Sequence, residues 1–161
     1  MLEGRPYYIL LVLCWIYALL KGGLPERIGT TILAVGSTIT MAAISNRTIR
    51  FGSIELGVVL VDVAGMVAFI LLALRADRFW PLWVTALQII AVGGHAIKAA
   101  DPGTIPKAYA FAMAFWSYPM LALLALGTWR HQRRLARNGA DPSWSSFSAR
   151  SARAPPDGPT V

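Results

Sequence analysis

Cysteine, histidine and acidic side chains are all scarce in this chain, and each scarcity removes a class of chemistry. A single cysteine, Cys14, rules out an internal disulfide and any site built on several thiolates. It lies inside an apolar run, where it reads as a small packed hydrophobe. Of the two histidines only His95 lies in an apolar segment, since His131 falls in a basic stretch, so a bis-histidine haem is excluded. Zinc and di-iron sites need three or more His, Cys or carboxylate ligands at helical spacing, and no segment supplies them. No glycine-rich phosphate loop follows a strand, and no serine sits in a nucleophile elbow. The expectation is therefore a protein without cofactor or metal, and not an enzyme.

Charge is also in short supply. Only 14% of the 161 residues are charged, against 56% hydrophobic and a mean hydropathy of +0.54, whereas a soluble domain carries about 25% charged residues. The hydrophobic residues fall into five runs separated by short charged turns. The most apolar is Ile54–Leu74, of the roughly 20 residues that carry a helix across a bilayer core about 30 Å thick. The first run, Pro6–Lys21, is short for a span. No Ala-x-Ala-like cleavage site follows it, so it reads as an uncleaved helix, tilted or lying at the interface. The second begins at Pro25, suited to a first helical turn, and carries Thr30, Ala34, Thr38 and Ala42 along one ridge. Small-residue ridges of this kind let helices approach closely in lipid. After Arg75-Ala76-Asp77-Arg78 the fourth run extends from Phe79 to Ala99, with Asp77 as its expected N-cap and Pro81 in the first turn. The fifth ends near Trp129, with Pro119 expected to kink it.

The fold class expected is all-α: an integral membrane helical bundle of about five helices over residues 1–131. The helices lie near 6–21, 25–45, 54–74, 79–99 and 107–129, the last four being spans. Residues 132–161 turn to Ser, Pro, Ala, Arg and Asp, too polar to fold alone, and read as a largely disordered basic tail. From Arg130 onward six arginines stand against two aspartates. A basic segment directly after a span marks the cytoplasmic side. With the tail inside, Arg130, Arg133, Arg134 and Arg137 are joined there by Arg75, Arg78, Lys21 and Arg27, against Arg5, Arg47, Arg50, Lys98 and Lys107 outside. Trp80, Trp83 and Trp129 then share the cytoplasmic interface as an aromatic belt. The expected location is the cell inner (plasma) membrane, multi-pass, with the C-terminus in the cytoplasm. Nucleic-acid binding is not expected, because no basic fold accompanies the charge.

The polar residues inside the runs form stripes. Glu55 and Asp62 are seven apart on the third helix, and Gln88 and His95 seven apart on the fourth, with Lys98 three further on. Seven residues return nearly to the same helix face. The short turn joins the two helices antiparallel, which sets their depths. Counted from the turn, Glu55 is level with Lys98, and Asp62 with Ala91, between Gln88 and His95. This predicts an ion pair of Glu55 with Lys98 and a deeper meeting of Asp62 with Gln88 and His95. A structural account makes these residues interhelical glue, with Glu55 favoured by the helix dipole and Lys98 reaching to the interface. A functional account makes Asp62 and His95 a proton or cation path, since burial disfavours both charged forms and lets a facing pair exchange a proton near neutrality.

Three stretches carry a resemblance. They are Gly22-Gly23-Leu24-Pro25-Glu26-Arg27, Arg75-Ala76-Asp77-Arg78-Phe79-Trp80-Pro81-Leu82-Trp83, and Ala108-Tyr109-Ala110-Phe111 leading to Phe115-Trp116-Ser117-Tyr118-Pro119. In these the chain resembles small uncharacterised multi-pass inner-membrane proteins of bacteria, over most of residues 5–131. The resemblance implies a membrane bundle and brings no activity with it. The expected role is a non-enzymatic accessory or structural subunit of a membrane assembly, packing through its Gly/Ala/Thr ridges against itself or a larger complex. The alternative is a small oligomeric transporter or proton/cation conductor using Asp62 and His95. The expected partners are the lipid bilayer, a second copy or a larger membrane complex, and anionic lipid headgroups at the basic tail.

Overall fold

Two tight reversals set the path of the chain. In the computed structural model, which describes residues 5–43, 56–100 and 106–144, five α-helices are present: α1 (Arg5–Lys21), α2 (Leu24–Ala43), α3 (Leu56–Arg75), α4 (Trp80–Ala100) and α5 (Pro106–Asn138). The first reversal is made by Gly22 and Gly23. The Gly22 amide donates to the Ala18 carbonyl at 2.8 Å, and the Arg27 amide to the Gly23 carbonyl at 3.1 Å. A Cβ at Gly22 would stand 2.5 Å from the Ala18 oxygen, so only glycine closes this turn. Pro25 follows in the first turn of α2, where its missing N–H deprives no carbonyl of a partner.

The second reversal, Ala76–Phe79, joins α3 to α4. Asp77 does not cap α4 as expected, because the helix starts at Trp80 with Pro81 in its first turn. The Asp77 amide instead donates to the Ser143 carbonyl at 3.2 Å. The conformation of this turn is set by what its side chains and backbone grip elsewhere, which a local capping rule does not capture.

Consecutive helices α1 to α5 pack side by side, α5 closes the ring against α1, and α2 meets α5 across the middle. The described core contains residues of all five helices: Leu11 and Cys14 of α1, Leu33 of α2, Phe69 and Leu72 of α3, Trp80 and Val84 of α4, and Met120, Leu121 and Leu124 of α5. Cys14 is buried here as a packed side chain, and its Sγ–H donates to the Leu121 carbonyl at 3.6 Å. Trp80 is the centrepiece, only 7% exposed. Its indole lies between Gly29 of α2 and Gly127 of α5, where an added Cβ would come within 2.5 and 2.6 Å of the ring. This corrects the aromatic-belt expectation for Trp80, while Trp83 and Trp129 do stand outward, about half exposed.

The outside of the bundle is apolar. Leu20, Leu56, Leu60 and Ile97 are each more than half exposed. Of the described helices, α3 and α4 are long and apolar enough to cross a membrane, and the apolar part of α1 is shorter. Four such spans were expected. α2 is diluted by Glu26, Arg27 and its threonines, and α5 runs on past Trp129 through Arg130–Arg137 to Asn138 without breaking at Pro119. Only the first half of the expected α2 ridge faces inward: Thr30 is buried and Ala34 packs on the core, but Thr38 and Ala42 are exposed. Gly93 of α4 has nothing within 4 Å of where a Cβ would stand.

The two glycine environments predict opposite responses. Gly127→Ala drives a methyl into the Trp80 ring and is expected to lower stability by about 1–3 kcal/mol. Gly93→Ala meets open space and is expected to raise it by up to about 1 kcal/mol through helix propensity. Thermal unfolding of the purified protein followed by circular dichroism separates the two.

Candidate functional site

Beyond Trp80 and Pro81 in its first turn, the buried positions of α4 are Val84, Gln88, Ala91, His95 and Lys98. Their alternating spacing of four and three is that of a helix seam facing a neighbour, so three polar side chains are carried inward by a periodicity that normally carries aliphatic ones. α3 lies alongside and presents Asp62 to this seam. The Asp62 Oδ2 is 2.7 Å from His95 Nε2. Gln88 Nε2 donates both to the Asp62 backbone carbonyl at 3.1 Å and to Oδ1 at 3.4 Å. Gly65, one turn further along α3, lets Gln88 approach: a Cβ there would lie 3.6 Å from the amide nitrogen.

The structure thus brings Asp62, Gln88 and His95 into one cluster. Lys98 is 2% exposed on the same seam, buried rather than reaching to an outer edge. Its expected partner Glu55 lies outside the described residues. His95 is buried, whereas the Asp62 side chain keeps 27% of its surface, so the carboxylate is the open side of the cluster. Tyr7 of α1 is close enough to interact with Asp62 electrostatically and also approaches Ser117 of α5. Its hydroxyl shares a 2.8 Å hydrogen bond with Ser37 of α2. All five helices therefore contribute a polar side chain to this region.

A second polar cluster occupies the end of the bundle where both reversals lie. Glu26 of α2 is fully buried, and its Oε1 accepts from Trp80 Nε1 at 3.0 Å and Arg78 Nε at 3.3 Å. Its Oε2 has no hydrogen-bond partner among the described residues. Gly23 fits closely beside it, since a Cβ there would stand 2.9 Å from Oε2 and 3.1 Å from the His131 ring. Arg78 continues the chain of contacts to Asp141 Oδ2 at 2.8 Å and to the Pro142 carbonyl at 2.7 Å. Asp141 also meets His131 Nδ1 at 2.6 Å and Arg134 Nε at 2.9 Å. At the rim, Gln132 donates to the Lys21 carbonyl.

This arrangement depends on Gly139, whose φ of 70° needs a residue at ease in the left-handed region. Its amide donates to the Leu135 carbonyl at 2.9 Å, closing α5. The chain then folds back so that Ser143 and Trp144 pair with the backbone of the α3–α4 turn. The tail expected to be largely disordered from residue 132 is therefore ordered to Trp144; residues 145–161 lie outside the described part. Arg78 and Arg134, counted from the sequence as topology charges, are engaged by Glu26 and Asp141. Arg75, Arg130, Arg133 and Arg137 are exposed, and Arg133 lies over the Trp129 ring at 4.8 Å.

Sequence reasoning missed Glu26, His131 and Asp141. The available signal was the Asn138-Gly139 stop followed by Asp141-Pro142, which marks a helix end and a turn. It says nothing of which distant arginine the aspartate meets. Comparison of the chain with protein-family profiles, curated proteins and solved structures finds no match.

The Asp141 contacts carry a pH dependence. Burial on its own pushes the carboxyl up, but hydrogen bonds from Arg134 and His131 and the charges of Arg78 and Arg134 outweigh it and hold Asp141 below the ordinary carboxylate range. A depressed folded-state pKa stabilises at every pH above the unfolded value and is lost as pH falls through the folded one. The return segment is therefore expected to stay anchored through neutral and mildly acidic pH and to release only under stronger acid. Asp141→Asn is expected to release it at neutral pH, with amide exchange at Asp77 faster by roughly tenfold or more, equivalent to one charge-assisted hydrogen bond of about 1.5–3 kcal/mol. Unchanged exchange at Asp77 would show that the backbone pairing alone holds the segment.

Proposed function

We propose that this chain is a small multi-pass protein of the cell inner membrane, acting as a non-enzymatic accessory or structural component of a membrane assembly with its C-terminal tail in the cytoplasm. The observation that carries this reading is the distribution of side chains. Large aliphatic residues stand outward around the helices, while Glu26, Gln88, His95 and Lys98 are buried. A soluble monomer rarely exposes apolar patches beyond a few hundred Å², but lipid imposes no such limit. Thr31, Thr38 and Thr85 donate to carbonyls of their own helix four residues back, so these hydroxyls do not depend on water for a partner.

On this reading α1, α2 and α5 cross alongside α3 and α4, against which the ring packs them. The exposed Arg130, Arg133 and Arg137 suit anionic lipid headgroups, each basic residue near such a surface contributing about 1 kcal/mol. Trp83 and Trp129 at the same end suit the interface. The exposed Thr38 and Ala42 and the open space at Gly93 leave room for the close approach of another helix, either a second copy or a partner subunit.

Expressed in bacteria, the protein is expected in the membrane fraction after alkaline extraction, with a C-terminal reporter protected inside the cell. Recovery in the soluble fraction, or an external reporter, would overturn the reading. Cross-linking in native membranes is expected to capture a second copy or one defined partner.

The 2.7 Å contact of Asp62 with His95 favours a second reading, a small oligomeric transporter or proton/cation conductor. Five helices enclose little lumen, so conduction requires more than one copy. Liposomes holding the wild type are then expected to pass protons or cations, and Asp62→Asn to abolish the flux with the fold intact. A protein that stays monomeric in mild detergent and native lipid counts against this role.

A further inference from the structure

We infer that Arg78, His131 and Arg134 form a phosphate-binding site at the end of the bundle, which the chain's own Asp141 occupies in this structure. The ligand is a phosphate monoester or free phosphate, and its binding displaces Asp141 together with the return segment. The inference goes beyond the membrane reading and does not depend on it.

The donors are held by contacts other than Asp141. The Arg78 side chain is 3% exposed. Its Nε donates to Glu26 Oε1 at 3.3 Å and its Nη1 to the Asp77 carbonyl at 3.0 Å, which turns Nη2 to Asp141 Oδ2 at 2.8 Å. The His131 ring is buried beside Gly23, with Nδ1 2.6 Å from the same oxygen. A carboxylate oxygen only accepts, so Nδ1 is the donor of that bond. Arg134 Nε donates to Oδ1 at 2.9 Å.

Three donors thus converge on two oxygens, and a fourth donor is left over. Arg134 Nη2 is buried and has no hydrogen-bond partner among the described residues. Nε and Nη2 form one edge of the guanidinium, spaced for two oxygens of a single acid. Asp141 satisfies half of that edge, because its other oxygen is taken by Arg78 and His131. A phosphate monoester presents three oxygens: two for the Arg134 edge, and the third for Arg78 Nη2 and His131 Nδ1. A buried donor without an acceptor is costly, so the four donors fit a tetrahedral oxyanion better than a carboxylate.

Little else holds the segment that carries Asp141. Gly139, Ala140, Pro142 and Trp144 are exposed, while the Asp141 side chain is 6% exposed. The remaining ties are the backbone pairing of Ser143 and Trp144 with the α3–α4 turn and the bonds from Arg78 to the Asp141 and Pro142 carbonyls. The segment therefore buries a carboxylate and no apolar side chain, and its departure uncovers no core. Glu26 stays on the far edge of Arg78, so the charge uncovered is chiefly that of Arg134. The exposed Arg130, Arg133 and Arg137 on the same stretch of α5 add a positive field that draws anions in.

Competition between phosphate and Asp141 is the test. The full-length protein in phosphatidylcholine nanodiscs receives inorganic phosphate, or chloride at equal ionic strength. It is also placed in nanodiscs containing phosphatidic acid or phosphatidylglycerol. Amide exchange at Asp77 reports release of the segment. Inorganic phosphate, phosphatidic acid or both are expected to speed it by about tenfold or more, as a ligand that binds only the released state does. Chloride and phosphatidylglycerol, a diester with two free oxygens, are expected to leave it unchanged. A response to inorganic phosphate identifies a soluble ligand, and one to phosphatidic acid alone a lipid headgroup; either upholds the site. Asp141→Asn is expected to bind the responding probe about tenfold or more tightly than the wild type, whose site is open only in the released fraction. In that background Arg134→Gln is expected to weaken binding by about tenfold, through loss of the bidentate edge. No response to either phosphate probe, an equal response to chloride or phosphatidylglycerol, or no tightening in a folded Asp141→Asn overturns the inference. The wild-type exchange measurement decides the matter even where a variant fails to fold.

Discussion

The position of Trp80 between Gly29 and Gly127, with its indole N–H on the buried carboxylate of Glu26, is the constraint on which the rest of the bundle depends. Three helices converge on this one ring. α4 carries it, and α2 and α5 each give up a side chain to admit it. A buried indole needs an acceptor, and a buried carboxylate needs donors; each satisfies the other. Arg78, two residues earlier, uses its planar fork to reach both Glu26 and Asp141, so the same node fixes the α3–α4 turn and the chain beyond α5. Glu26 stands immediately after the Gly22-Gly23 reversal, which ties α1 into the node as well.

From that anchored end, α3 and α4 run side by side to the Asp62 cluster. The closeness of Asp62 to His95 is a consequence of register: once the turn is fixed, residues equally far from it along the two helices stand level. The register was expected to place Asp62 between Gln88 and His95 in depth, and both side chains do reach it, Gln88 by its amide and His95 by its ring. The two polar clusters differ in character. The end cluster pairs full charges, Arg78 and Arg134 with Glu26 and Asp141, in a geometry that holds segments in place. The central cluster holds the Asp62 carboxylate between the Gln88 amide and the His95 ring, with 27% of its side chain exposed.

The sequence by itself determined the helices. Their apolar runs are long, their ends are marked by Gly22-Gly23, Pro25, Arg75 and Pro81, and helix formation is decided within a few turns of local chain. It also determined which faces of α3 and α4 carry polar groups, because seven-residue spacing is a property of the helix itself and a short turn fixes relative depth. Only the tertiary structure decided the rest. Trp80 reads as an interfacial residue until two glycines on other helices, Gly29 and Gly127, are seen to make room for it. Arg78, Arg134 and His131 read as solvated charges until Asp141 is brought back to them by the left-handed turn at Gly139 and the pairing of Ser143 with Asp77. Arg78 and Asp141 lie 63 residues apart in the chain. No local rule couples residues so distant, and burial with pairing of charges arises only once the helices have packed.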